Sequence, residues 1–373
     1  MENLAEAICN HHEIDISDPS LPSQSEISTV GRICCDSEGK LNPESVILES
    51  LPYFGGKRVK LAINNLSSYA LFPGQIVGIQ GTNNFGSEIN VSKILEVPRL
   101  PMCRTSPNII KDYYGPTKLN GRPLNVFEGT GCAKNYNIDC KMGPFVDEDH
   151  SLIQAGEMDM TPGEIFARKI NPMLYAFTRS TPTVKVVMIP SIKDVFHNHI
   201  AFPQPPFGRS GIVEGITCLS NPVQFRVNEI VFAISNIDVL CHLFQDETEK
   251  DSEYRCFFDI TLHRDFCNRQ MLIIGHIFSL YPLFPPSAGA NLDLKHWSSL
   301  DLLYTPDVLV LPSKLKYFAK VIDKVICINP GYLAKGSNTY IKMTIHPPPQ
   351  SIEGEAEAEH LVHQRTRVDI IRI

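Results

Sequence analysis

The chain has 373 residues with 43% hydrophobic and 20% charged side chains, an ordinary globular balance with room for two cores. Its 34 Lys and Arg against 41 Asp and Glu leave a net charge of −7, which repels a phosphate backbone, so any contact with nucleic acid has to be local. Apolar runs such as Val308 to Leu311 are far shorter than the ~20 residues that cross a bilayer.

Residues 1–28 mix His, Pro and Ser and read as a flexible N-terminal segment. Its acids (Glu2, Glu6, Glu13, Asp15, Asp18) exclude a secretory signal, which places the chain in the cytosol or nucleus. The 11 Cys include no Cys-x-x-Cys and read as reduced, mostly buried thiols.

From Val30 the pattern turns to short β-rich runs: Val30 to Cys35, Ser45 to Leu51, Arg58 to Leu66, Gln75 to Gln80 and Ile89 to Val97. Turn chemistry separates them at Asp36 to Gly39, Gly55-Gly56, Pro73-Gly74 and Gly81 to Gly86. Five strands in so short a span predict a small closed β barrel of the OB-fold type over 29–105. Pro98 through Pro107 reads as a stiff linker.

The second domain is expected over 106–373. Apolar strands recur there with helix-sized spacers: Val184 to Ile189, Gln224-Phe225 into Ile230 to Ser235, Val308 to Leu311, Val325 to Ile328 and Tyr340 to Ile345. That pattern predicts a mixed α/β domain with buried central strands. The polar stretches Gln245 to Glu253 and Gln350 to Glu359 read as exposed loops, and Val368 to Ile373 as a strand inserted into a sheet.

Acids and imidazoles that follow strands are the candidates for chemistry: Asp147, Asp149 and His150 after Gly143-Pro144-Phe145-Val146; Asp194, His197 and His199 after Pro190-Ser191-Ile192-Lys193; and Gly275-His276. A two-metal phosphoesterase of the calcineurin-like type needs a dense cage of Asp, Asn and His at such loops. Here Pro144 stands where the bridging Asp belongs and Ile192 and Lys193 where Asn and His belong, while Phe278 replaces the last His and no Asp-x-His follows Pro123 to Phe127. Pro offers no donor and an ammonium opposes a cation, so no catalytic or metal-binding residue is assigned and no cofactor is expected. Asp147 and Asp194 then read as caps of the helices or turns that follow them. No Gly-x-Ser-x-Gly, P-loop or dinucleotide fingerprint occurs, so the chain reads as a non-enzyme.

A single-strand-binding role for the barrel would use Arg32, Lys57, Arg58, Lys60 and Lys93 with Tyr53, Tyr69 and Phe72. The aromatics flank the strands instead of alternating with the basic residues, so core and surface roles are favoured for them.

Several segments together resemble one family, the accessory B subunits of DNA polymerase alpha-primase. In the barrel these are Gly31 to Asn42 and Leu71-Phe72-Pro73-Gly74-Gln75-Ile76-Val77. Farther on they are Gly143 to Asp147, Phe202-Pro203-Gln204-Pro205-Pro206-Phe207, Tyr281 to Pro286, Thr305 to Leu309 and Asn329-Pro330-Gly331. The equivalent subunits of polymerases delta and epsilon are similar, and the Pro-Gln-Pro-Pro-Phe and Tyr-Pro segments favour alpha. The resemblance implies an OB-fold followed by an inactive calcineurin-like phosphoesterase domain. It also implies a nuclear scaffold that holds the C-terminal region of the polymerase catalytic subunit and joins primase through the complex; DNA contact is expected to be indirect or weak, with no membrane. Two departures are expected: the N-terminal helical domain of the family is absent, and only Glu128 to Met142 stand where the family carries a βα segment, so the second domain reads as truncated there.

Overall fold

The computed structural model describes residues 2–102 except 38, 96 and 99, then 104–105, 124–127, 136–150, 153, 160–250 except 209–211, 279–333 except 303, 337–347 and 358–373. These fall into two compact units, one of residues 1–100 with 240–290, the other of 101–239 with 291–373.

The first unit opens with helix α1 (Glu2–His12), so the flexible reading of residues 1–28 is corrected. Leu4, Ala5, Ile8 and Cys9 recur at helical spacing and pack with Val30, Leu51, Leu95 and Val97. Gly78 makes the room, since a Cβ there would meet Ile8 Cγ2 at 3.0 Å. Strand β1 (Ser23–Cys35) also starts before the expected Val30. It closes a five-stranded barrel with β2 (Val46–Ser50), β3 (Arg58–Ala62), β5 (Ile76–Asn83) and β6 (Glu88–Leu95), in the order β1-β2-β3-β6-β5. The β3–β6 pair is parallel and the rest antiparallel. This order, with β4 (Tyr69–Leu71) outside the barrel, is that of an OB-fold.

Alternation does the specifying: β2 and β3 bury every second residue, and Ile33, Leu48, Leu61, Ile79 and Ile89 are fully enclosed. Each such side chain contributes about 1.5–3 kcal/mol relative to exposure. Gly31 lies where strands crowd, because a Cβ would stand 2.5 Å from the Glu49 carbonyl oxygen.

The expected exposed loop from Gln245 is also corrected. A helix (Val239–Asp246) buries Leu240 and Leu243, and residues Thr248–Lys250 pair with β4, with Glu247 and Thr248 buried. Backbone pairing with β4 overrides the polar composition there. Residues 251–253, and with them His276 and Phe278, lie outside the described residues.

In the second unit the expected linker is partly structured. Met102 bridges Thr305, and β7 (Arg104–Thr105) pairs with residues Ala358–Glu359 near the C-terminus, which corrects the end of the predicted exposed stretch Gln350 to Glu359. Strand β8 (Leu124–Phe127) sits at the edge of a six-stranded sheet. Strand β9 (Tyr136–Cys140) belongs to a separate three-stranded sheet, so the two do not form a βαβ unit.

A helical stretch follows as α2 (Pro162–Ile165), a π turn (Phe166–Ile170) and α3 (Asn171–Ser180). Thr161 and Glu164 form a capping box at its start. Strands β10 (Val186–Met188) and β11 (Ile216–Cys218) make a parallel pair.

The six-stranded sheet is completed by β12 (Val223–Val227), β13 (Ile230–Ile234), Val308–Val310, Phe318–Ile322 and Val325–Asn329. Numbered in chain order, with Thr248–Lys250 as β14, the last three are β15, β16 and β17, and the sheet order is β16-β17-β15-β13-β12-β8. Strands β13, β15 and β17 are buried throughout and therefore read as unbroken apolar runs.

The three-stranded sheet consists of β20 (Thr366–Arg372), β18 (Thr339–Ile345) and β9, with Ala358–Glu359 as β19. Its Ile341, Met343 and Ile345 pack on Phe225, Phe232, Val308 and Ile326 of the larger sheet. Strand β20 pairs with β18 at the edge of this sheet, so the C-terminal segment is a sheet strand as expected.

Candidate functional site

Of the strand-end residues singled out by the sequence, Asp194 and His197 use their side-chain atoms inside the fold. Asp194 is 2% exposed, and its Oδ1 accepts the backbone N–H groups of Phe145 (2.6 Å) and Val146 (3.1 Å). It thus ties its loop back to the earlier one, and the expectation that it caps the following turn is corrected. Burial pushes its pKa up to about 6 against the lowering effect of those hydrogen bonds. His197 is buried with Nδ1 3.1 Å from the His199 N and 2.9 Å from the His199 carbonyl oxygen. The Lys193 ammonium stands 4.2 Å from the centre of the Tyr332 ring. Asp147 lies at a turn in which its carbonyl oxygen accepts from His150 N.

Apolar rings fill the surrounding space. Phe166, Phe196 and Phe207 stack in sequence, with centroids 4.2 and 5.2 Å apart, and the His197 ring meets Phe207 edge-on at 5.0 Å. Val146, Ile165 and Met188 complete this cluster.

Three buried amides, which the sequence reading did not single out, join the loops. Gln204 Nε2 donates to the carbonyls of His199 (2.8 Å) and Ser191 (3.3 Å), while its Oε1 accepts from Asn221 Nδ2 (3.0 Å). Asn221 Oδ1 in turn accepts from Asn236 N at 2.8 Å. Asn329 accepts from Ser313 N and Gly331 N and donates to the carbonyls of Leu315 and Lys316. The available signal was their neighbourhood in Pro-rich strand-end segments, Pro203 to Pro206, Pro222 and Pro330.

At the other end of the sheet, ahead of β13 and β15, Asp307 Oδ2 accepts from Val231 N (2.8 Å) and lies 2.9 Å from His360 Nδ1, both side chains being buried. Arg365 donates to the carbonyls of His360 and His346 and to Glu229 Oε1 (2.7 Å). Among the described residues no three His, Cys, Asp or Glu converge as a metal site would require.

On the barrel, four of the five basic residues considered for nucleic acid lie beside acids. Arg32 and Arg58 lie 3.6 and 3.4 Å from Glu49, Lys57 3.1 Å from Asp18, and Lys60 3.9 Å from Glu44 and Glu88. Tyr69 and Phe72 are buried, which removes them as stacking platforms, and Tyr53 is exposed.

Comparison with known proteins finds two family matches along the chain. Residues 1–97 match the OB domain of the DNA polymerase alpha B subunit, and residues 140–320 match the family described as the DNA polymerase alpha/epsilon B subunit. The DNA polymerase alpha B subunit of Schizosaccharomyces pombe is 31% identical over 415 residues, covering 100% of this chain and 70% of the relative. The chain belongs to the family of DNA polymerase alpha B subunits. The corresponding proteins of Mus musculus and Saccharomyces cerevisiae are each 28% identical, covering 95 and 100% of this chain and 60 and 62% of those proteins. The chain therefore spans about three fifths to seven tenths of the length of these relatives. The barrel match includes helix α1, which agrees with the helix packing on the barrel strands.

Proposed function

We propose that this chain is a non-catalytic, nuclear scaffold subunit of DNA polymerase alpha that holds the C-terminal region of the catalytic subunit and through it associates with primase. Membership of the B-subunit family supports the assignment to this polymerase. The observation that carries the scaffold reading is the state of the strand-end loops. Asp194 is spent on backbone N–H groups, the amides of Gln204, Asn221 and Asn329 bridge carbonyls and N–H groups, and stacked phenylalanines occupy the intervening space. A hydrolase would keep such donors facing a wet cavity, where a metal could ionise water.

The second unit is read as a degenerate calcineurin-like phosphoesterase domain whose strand-end loops have become structural. It is also read as shortened after β8, and the alignments of 415 and 453 residues against a chain of 373 support insertions in the relatives. The test is co-purification of the full chain with the C-terminal region of a DNA polymerase alpha catalytic subunit. A stoichiometric complex on size exclusion is expected, and two separate peaks at micromolar concentrations of both proteins would overturn the reading.

A further inference from the structure

The barrel presents bulky apolar side chains at one end, on three loops that its topology gathers there. Because β1 runs antiparallel to β2 and β5, and β3 runs parallel to β6, the lead into β1, the β2–β3 turn and the β5–β6 turn share an end. Each carries a side chain turned to solvent: Leu21 (59% exposed), Tyr53 (84%) and Phe85 (86%).

The three loops are pinned to one another. Lys57 Nζ donates to Asp18 Oδ2 (3.1 Å) and Ser20 Oγ (2.8 Å), which joins the Tyr53 turn to the β1 lead. The fully buried Asn83 donates from Nδ2 to the Pro19 carbonyl (2.6 Å) and accepts from Gly86 N (2.6 Å), which joins the Phe85 turn to the same lead. Within the Tyr53 turn, Phe54 packs inward on the α1 cluster, and Gly55 and Gly56 take φ of +81° and +62°, so Tyr53 is held outward. Large apolar groups on rigid loops are costly to leave in water and lose little entropy on binding.

Charge selects the occupant. Residues 1–97 hold 12 Asp and Glu against 6 Lys and Arg, and the cations at Arg32, Lys57, Arg58 and Lys60 are already matched by acids. Such a surface repels nucleic acid and attracts a cationic chain. We propose that the barrel end formed by Leu21, Tyr53 and Phe85 docks a basic protein segment bearing bulky apolar side chains. This surface is independent of the scaffold reading, which concerns the polymerase catalytic subunit.

The test uses the full chain and three fluorescent probes in anisotropy titrations: a synthetic Lys/Leu/Trp peptide, its Glu/Leu/Trp counterpart and an oligo(dT). The lysine peptide is expected to bind and the other two not to. The charge-neutral double variant Tyr53→Ser with Phe85→Ser is expected to weaken binding about tenfold or more, since exposed aromatic anchors carry most of such an interface. Unchanged binding in the variant would mean diffuse charge attraction and would overturn the proposal, as would preference for the glutamate peptide. Binding of oligo(dT) lost in the same variant would instead make the end a nucleic-acid surface, which also overturns it. Both positions are exposed, so an unaltered melting temperature serves as the folding control.

Discussion

The carboxylate of Asp194 is shut away from solvent and, among the described residues, forms no ion pair; it is held by the N–H groups of Phe145 and Val146. Its pKa rises from the ordinary 3.8 to about 6, so the folded state binds the proton more tightly than the unfolded chain. Stability from this group is complete below the unfolded value and is lost as pH rises through about 6, a span worth about 3 kcal/mol at ~1.4 kcal/mol per unit. Asp194→Asn keeps an acceptor for the two N–H groups and cannot ionise. Its stability relative to the parent protein should therefore climb by about 2–3 kcal/mol between pH 4 and 7 in urea unfolding. A flat difference across that range would mean that Asp194 is hydrated. The sequence showed that an acid survives there, since its place after a strand is local information. Its partners are about fifty residues earlier, and the hubs Gln204 and Asn221 meet only after the loops fold, so no local pattern announced them.

At the scale of elements, local periodicity decided what could be read. The five barrel strands and the buried β13, β15 and β17 follow from alternation and from unbroken apolar runs. Helix α1 escaped because its stripe is short and its flanks polar, and β14 because its three residues become a strand only by pairing with β4. The end of the chain adds a measurable case. The turn Val362–Gln364 and strand β20 are held by Arg365, which is 8% exposed and bonded to Glu229 and to the His360 and His346 carbonyls. Arg365→Ala would leave Glu229 without this cation and two carbonyls without this donor, at a cost of about 3–5 kcal/mol. The ion pair of Lys324 with Glu359 is 52 and 32% exposed, and Lys324→Ala should cost at most about 1 kcal/mol. Denaturant midpoints of the two variants compare these figures, and equal midpoints would refute the latch formed by Arg365.

For the molecule as a whole, the six-stranded sheet is closed by polar locks at both ends, amides beyond β13 and β17 and Asp307 with His360 and Arg365 ahead of β13 and β15, while Asp194 locks the loop that follows β10 of the separate parallel pair. The order of that sheet was not legible from sequence, because strand neighbours are chosen by packing between segments more than seventy residues apart, as for β13 and β15. What the order explains is why polar side chains at the strand ends need not mean chemistry. A divalent ion entering there would have to displace N–H groups from Asp194 and break the amide bridges, each a buried hydrogen bond whose loss costs about 1–3 kcal/mol. An ion that bound the native fold with a Kd about a hundredth of its concentration would add about 2.7 kcal/mol of stability. Millimolar Mn²⁺ is therefore expected to leave the melting temperature of the full chain unchanged, with Asp194→Ala giving the same null response. A rise of several degrees that vanished in Asp194→Ala would show that the carboxylate can leave its backbone partners for a metal, and the structural role assigned to these loops would then fail.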